Sequence, residues 1–154
     1  MQTATREHYP ELAKCAERLG VPYGWALEQA RREEVDPDDE DLACFLLPKA
    51  CAWIFSGFEW RIRYPICDHR ASGEAVFDST NLEIFVYRLT SHEGCCYGWR
   101  AELNRGHEHG EEFWFKAKGE TPVSALAALR SQLVQLAKIF LATRLQGGNG
   151  VCQN

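Results

Sequence analysis

No stretch of this chain approaches the roughly 18 consecutive apolar residues that a membrane span needs, so a membrane location is not expected. The opening residues, Met1 to His8, are polar and offer no apolar signal core. A disulfide framework is missing as well. The seven cysteines, Cys15, Cys44, Cys51, Cys67, Cys95, Cys96 and Cys152, are odd in number and irregularly spaced. These absences predict a cytoplasmic protein with reduced thiols, most of them serving as small apolar side chains.

Motifs that carry chemistry are equally scarce. There is no Gly-x-Ser-x-Gly elbow for a nucleophile. Gly147-Gly148-Asn149-Gly150 follows a helical pattern rather than a strand, which removes a phosphate-loop reading. Histidines and cysteines do gather in the middle: Cys67, His69, His92, Cys95, Cys96, His107 and His109. Their spacing is wrong for zinc. Cys67-x-His69 and His107-x-His109 are too tight for the common fingers, and adjacent Cys95 and Cys96 point to opposite faces of a strand. His107-Glu108-His109 is followed by no Cys-x-x-Cys pair, as a zinc deaminase would require. We therefore expect no metal, no cofactor and no catalytic residue. The alternative is a metal- or thiol-dependent enzyme, for example with Cys95 paired to His92 or His69.

What is present is a 154-residue chain that is 45% apolar and 25% charged, an ordinary composition for one domain large enough to bury a core. The net charge of −5 is segregated: residues 1–50 hold six Lys/Arg against eleven Asp/Glu, and residues 51–154 are balanced. A polyanion would be repelled by that first third. Its acidic cluster is Glu33, Glu34, Asp36, Asp38, Asp39, Glu40 and Asp41. The cluster lacks the mid-loop glycine and terminal glutamate of a calcium loop. It suits a solvated helix start, and it also offers a surface for a basic patch on a partner.

Hydrophobic periodicity divides the chain. Residues 1–57 read as an acidic helical part. Pro10 opens a helix carrying Leu12, Ala16 and Leu19, and Gly20 ends it. Pro22 opens a second with Trp25, Ala26 and Ala30. Asp36-Pro37 starts a third, with Leu42, Phe45 and Leu46 on its buried stripe and Pro48 breaking or kinking it. Lys49 to Phe55 reads as a further helical turn. Residues 58–119 read as an antiparallel sheet of about four strands. Phe58 to Ile66 alternates with period two; Leu82 to Leu89 is apolar on both faces and suits a deeper position; Cys95 to Leu103 and 112–118 form a hairpin. Residues 121–145 form a long helix capped by Thr121 and Pro122, with Leu126, Leu129, Leu133, Leu136 and Phe140 packed on the sheet; pairing of that stripe in a homodimer is the alternative. Residues 146–154 read as a flexible tail. The expected fold class is α+β, with helices on a sheet.

If the alternation holds, Arg61, Arg63, Arg100, Lys116 and Lys118 share a polar sheet face with Trp114 among them. Basic groups around an aromatic suit single-stranded nucleic acid or an acidic protein. Glu59, Glu102 and Glu112 on the same face would pair with them across strands, so nucleic acid is the less favoured partner.

Tyr97-Gly98-Trp99-Arg100-Ala101-Glu102-Leu103, then Glu112-Phe113-Trp114-Phe115-Lys116-Ala117-Lys118, then Gly119-Glu120-Thr121-Pro122 leading into Ser124-Ala125-Leu126-Ala127-Ala128-Leu129-Arg130, resembles the small phage and prophage proteins with a phage ABA-sandwich domain. The resemblance covers about residues 95–135, and loosely the acidic helix at 36–47. HicB-type antitoxins show a similar strand-to-helix passage, which keeps a nucleic-acid-binding or antitoxin-like module as an alternative. Double-stranded-RNA-binding domains share the strand-strand-helix order, but their last-helix lysines are missing here. The resemblance implies a non-enzymatic accessory protein of a mobile element. Small phage proteins of this class often bind a host protein complex, the anti-CRISPR and anti-restriction inhibitors among them.

Overall fold

The computed structural model describes residues 8–39, 41–62, 70–77, 80–91, 96–105 and 115–151. Helix α1 spans Pro10–Leu19 and buries Leu12, Cys15, Ala16 and Leu19. It ends as expected at Gly20, whose φ of 80° is left-handed. Gly20 N–H donates to the Glu17 carbonyl and Val21 N–H to the Ala16 carbonyl, the paired bonds of a Schellman stop. A β-carbon at Gly20 would collide with the Thr121 side chain, so only glycine lets α1 press against that segment.

Helix α2 spans Tyr23–Arg32 and buries Ala26 and Ala30. Its stop repeats the α1 geometry, with Glu34 N–H on the Arg31 carbonyl and Val35 N–H on the Ala30 carbonyl. Here the left-handed residue is Glu34, at φ 55°. A side chain in that region costs about 1–2 kcal/mol.

The expected helix start at Asp36-Pro37 is not what forms. Asp36 and Asp39 use their carboxylates in tight turns instead, Asp36 Oδ1 accepting from Asp38 N–H (3.0 Å) and Asp39 Oδ1 from Asp41 N–H (2.9 Å). Helix α3 begins only at Leu42 and runs through Ile54. Pro48 lies inside it and does not break it. The buried face around it, Leu42, Ala43, Leu46, Leu47, Ala50 and Cys51, outweighs the one backbone bond that proline forfeits. Phe45 is only half-buried.

Among the described residues the sheet has five strands rather than about four: β1 (Glu59–Ile62), β2 (Arg70–Phe77), β3 (Thr80–Thr90), β4 (Cys96–Arg105) and β5 (Phe115–Gly119). They form an antiparallel meander in sequence order. The strand read over 58–66 is Glu59–Ile62 in the structure; 63–69, with Arg63, lies outside the described residues. So does 112–114, including Trp114. Strand β2 escaped the sequence reading because Arg-Ala-Ser-Gly-Glu-Ala carries few β-formers. Strand β3 occupies the central place expected of a run apolar on both faces, and Glu83, Ile84, Phe85 and Val86 are all buried. A bulge at Leu89/Thr90 is absorbed opposite by Gly98, whose φ of 142° excludes other residues.

Helix α4 runs Pro122–Val151. Thr121 caps it as expected. Thr121 Oγ1 accepts from Ser124 N–H (3.1 Å), and Thr121 N–H donates back to Ser124 Oγ (2.9 Å). Helix α4 lies over β5, β4 and the edge of β3; α3 lies beside it over β1 and β2; α1 rests on both. Between helices and sheet sit Ile84, Val86, Trp99, Ala101 and Ala117 with Leu46, Leu47, Ala125, Leu126 and Leu129.

The leucine stripe is divided. Leu126 and Leu129 are fully buried, Leu133 is half-buried, and Leu136 and Phe140 are 42% and 63% exposed. Packing on the sheet therefore holds for the first half only. Helix continues through Val151, where a flexible tail was expected. Pro122–Arg144 is long and apolar enough to cross a membrane by length and composition, although it contains no unbroken apolar run of that length. Its first three turns are instead part of the core.

Leu129→Ala should cost about 2–5 kcal/mol in urea unfolding, the range for emptying a closed core site. Glu34→Gly should stabilise the fold by roughly 0.5–1 kcal/mol, because relief of the left-handed strain exceeds the added chain entropy. An unchanged or lowered urea midpoint for Glu34→Gly would contradict the strain assigned to that stop.

Candidate functional site

The sheet turns one face to the helices and the other away from them. Register defines the second face row by row. One row holds Glu59, Glu83 and Asn104; the next holds Arg61, Phe85, Glu102 and Lys116; the third holds Tyr87, Arg100 and Lys118. Alternation thus places Arg61, Arg100, Lys116 and Lys118 on one face, as expected. It does not bring them all together. Arg61 lies on β1 and Lys116 on β5, four strand spacings apart, roughly 19 Å. The group that forms is Arg100, Lys116 and Lys118 on the β4–β5 side.

Charge on this face is graded, from a glutamate-rich row to a lysine- and arginine-rich one. Between them Glu102 anchors a network: its pairing with the basic groups was expected, and its bond with Tyr87 was not. Tyr87 Oη donates to Glu102 Oε1 (2.7 Å), Arg100 Nη1 donates to Tyr87 Oη (3.4 Å), and Lys116 Nζ lies 3.8 Å from Glu102 Oε1. The signal for it was available: Tyr87 falls on the polar side of β3 once the strand is aligned with β4. Burial raises the Tyr87 pKa, the bond to the Glu102 carboxylate raises it further, and the Arg100 guanidinium opposes both. Glu102, Glu83 and Asn104 are buried on this face, and Asn104 Oδ1 has no hydrogen-bond partner among the described residues. An orphan acceptor of this kind costs about 1–3 kcal/mol.

The acidic cluster forms the α2–α3 connection. Glu33 pairs with Lys49 of α3, Glu34 is the left-handed stop, Asp36 and Asp39 close their own turns, and Asp38 and Asp41 are exposed. Glu40 lies outside the described residues. Several of these acids therefore have local structural work.

A cavity of about 300 Å³ opens where α1 meets the core face of the sheet, lined by Cys15, Arg18, Ala43, Arg88, Trp99 and Thr121 among others. Those residues come from α1, α3, β3, β4 and the start of α4, and no sequence spacing foretells their meeting. The volume is at the lower limit of small-molecule pockets. Burial pushes the Cys15 thiol up to about 11, against a weaker downward pull from Arg18. Burial pushes the Cys51 thiol up as well. Neither thiol is poised as a nucleophile.

Among the described residues no group of three or more His, Cys, Asp or Glu is placed to hold a metal ion. Cys67, His69, His92, Cys95, His107 and His109 lie outside the described residues.

No family model matches the chain, and no curated protein or solved structure does either.

Two outcomes check this chemistry. Iodoacetamide at mildly alkaline pH should leave Cys15 and Cys51 unlabelled in the folded protein and label both after unfolding, read by peptide mass mapping. A raised Tyr87 pKa stabilises the fold below the ordinary tyrosine value, about 10, and that contribution is lost as pH rises through the raised value. Urea unfolding in that window should therefore fall more steeply with pH for the wild type than for Tyr87→Phe; parallel profiles would contradict it.

Proposed function

We propose that the protein is a non-enzymatic binding protein that docks on a partner protein through the β4–β5 side of its sheet. The observation that carries this reading is the Tyr87–Glu102–Arg100–Lys116 network, with Lys118 beside it: a fixed surface of mixed charge held on paired strands. Such a surface discriminates partners by charge complementarity. The resemblance of residues 95–135 to phage ABA-sandwich proteins supports a finer statement. On it, the chain is an accessory protein of a phage or related mobile element that binds a host protein complex in the cytoplasm, as a counter-defence inhibitor of the anti-CRISPR or anti-restriction type. The exposed acids Asp38 and Asp41 add a second charged surface in the α2–α3 connection.

A nucleic-acid reading is favoured by the row of Tyr87, Arg100 and Lys118. Against it stand Glu102, between Tyr87 and Lys116 in the adjoining row, and Glu59 and Glu83 in the row beyond. A polyanion tracking this face would meet carboxylates within one strand spacing.

Affinity capture from host lysate should recover a stoichiometric protein partner with the wild type and lose it with Arg100→Glu/Lys118→Glu, whose unchanged circular dichroism would show an intact fold. Recovery of no stoichiometric partner, or equal recovery by the variant, counts against the reading. In fluorescence anisotropy, a labelled single-stranded oligonucleotide should show no affinity that falls with the logarithm of salt. A clear salt slope lost in the same variant would transfer the face to nucleic acid.

A further inference from the structure

Arg88 sits where the core pattern calls for an apolar residue. It follows Ile84 and Val86 on the face of β3 that meets the helices, and it is paired directly with Trp99 of β4. It is half-buried, and it lines the cavity of about 300 Å³ at the end of α1. That cavity has two zones. Its floor is apolar: Cys15, Leu19, Ala43 and Trp99 are 3%, 2%, 8% and 6% exposed. Its rim is charged. Glu17 and Arg18 come from the last turn of α1, Glu120 directly precedes the cap of α4, and all three are exposed.

The charges around the cavity cancel, two guanidiniums against two carboxylates. A purely apolar ligand would strip water from Arg88 and return no hydrogen bond. A simple anion or a simple cation would bring a net charge to a wall that holds none, beside a floor that solvates charge poorly. A molecule that carries both charges avoids each cost. A guanidinium has five N–H donors, so it can hold a ligand carboxylate and keep a protein partner as well. The two glutamates can accept from an ammonium group in the same way. Size narrows the class further. The cavity has the volume of about ten waters, room for a molecule of roughly ten non-hydrogen atoms.

We infer that this cavity binds a free α-amino acid with an apolar side chain, its carboxylate between Arg88 and Arg18, its ammonium towards Glu17 and Glu120, and its side chain on Trp99 and Leu19. A peptide does not meet the requirement, because neither of its ends carries both charges. The cavity lies on the helix side of the sheet, and Arg100 and Lys118 lie on the other, so the inference stands apart from the docking reading. An occupant touches α1, α3, β3, β4 and the start of α4 together, so binding also stabilises the fold by mass action.

The test is a ¹H–¹⁵N NMR titration of the full chain with L-leucine and, separately, L-phenylalanine. Each is raised to about 10 mM, above the millimolar Kd expected of so small a ligand. At least one should shift the amides of Leu19, Gly20, Arg88, Trp99 and Thr121 saturably, leave those of Trp53 and Arg130 in place, and raise Tm. The leucine analogues 4-methylpentanoate, which lacks the ammonium, and 3-methylbutylamine, which lacks the carboxylate, should bind at least tenfold more weakly. Arg88→Gln should weaken binding about ten- to hundredfold, as loss of a hydrogen bond to a charged group does. Arg18→Gln, on the exposed rim, should weaken it severalfold and serves as the second variant if Arg88→Gln does not fold. Arg100→Glu/Lys118→Glu should bind like the wild type. Absence of saturable shifts with both amino acids overturns the inference. So does 4-methylpentanoate or 3-methylbutylamine binding as tightly as the amino acid, or binding that survives unchanged in the arginine variants.

Discussion

The apolar contact between the first half of α4 and the sheet, Ala125, Leu126 and Leu129 over Ile84, Val86, Ala101 and Ala117, holds the other elements in place. The alanines on both sides let the helix approach the strands closely, and the leucines and β-branched residues supply the buried area. Helix α3 takes its position from the flank of α4, and α1 is wedged against both. That wedge has almost no tolerance, because the stop of α1 at Gly20 touches the cap of α4 at Thr121. The same residue pair that opens α4 thus fixes where the N-terminal helices sit. Gly119, just before it, is equally crowded by Ser124 and Ala125. The passage from β5 into α4 is therefore closely packed on both sides.

Elements with strong local signals were legible in the sequence. Pro10 and Gly20 bracket α1 to the residue, and Thr121-Pro122 opens α4, because caps and stops are decided within a few residues. Alternation over residues 99–103 and 115–118 gave the faces of β4 and β5 correctly. The failures are tertiary. Asp36-Pro37 has the composition of a helix start, yet the acids close two local turns and leave Leu42 to begin α3. Pro48 has the composition of a helix end, yet the buried leucines around it keep the helix intact. Strand β2 is assembled by its neighbours on both sides rather than by its own residues. The leucine stripe of α4 looked uniform because periodicity records which face is apolar and not how far the sheet beneath it extends.

The candidate site shows the same division. The shared face of Arg61, Arg100, Lys116 and Lys118 followed from period two alone. Their separation into one distant arginine and a compact β4–β5 group depended on strand order, which periodicity does not carry. The Tyr87–Glu102 bond required the register of β3 against β4. Charge grading across that face and charge segregation between the acidic connection and helix α4, which holds Arg130, Lys138 and Arg144 and no acid, are both long-range arrangements. Each gives the molecule a direction, and each bears on what can dock where.

If α4 is one helix with two fates, its amides divide accordingly. Native-state hydrogen exchange read by mass spectrometry tests this most directly. The account places residues 125–133 in the slowest-exchanging unit together with β3 and β4, opening only when the whole domain unfolds. Exchange of that segment far ahead of the central strands would show that the helix is not what holds the sheet, and would contradict the account.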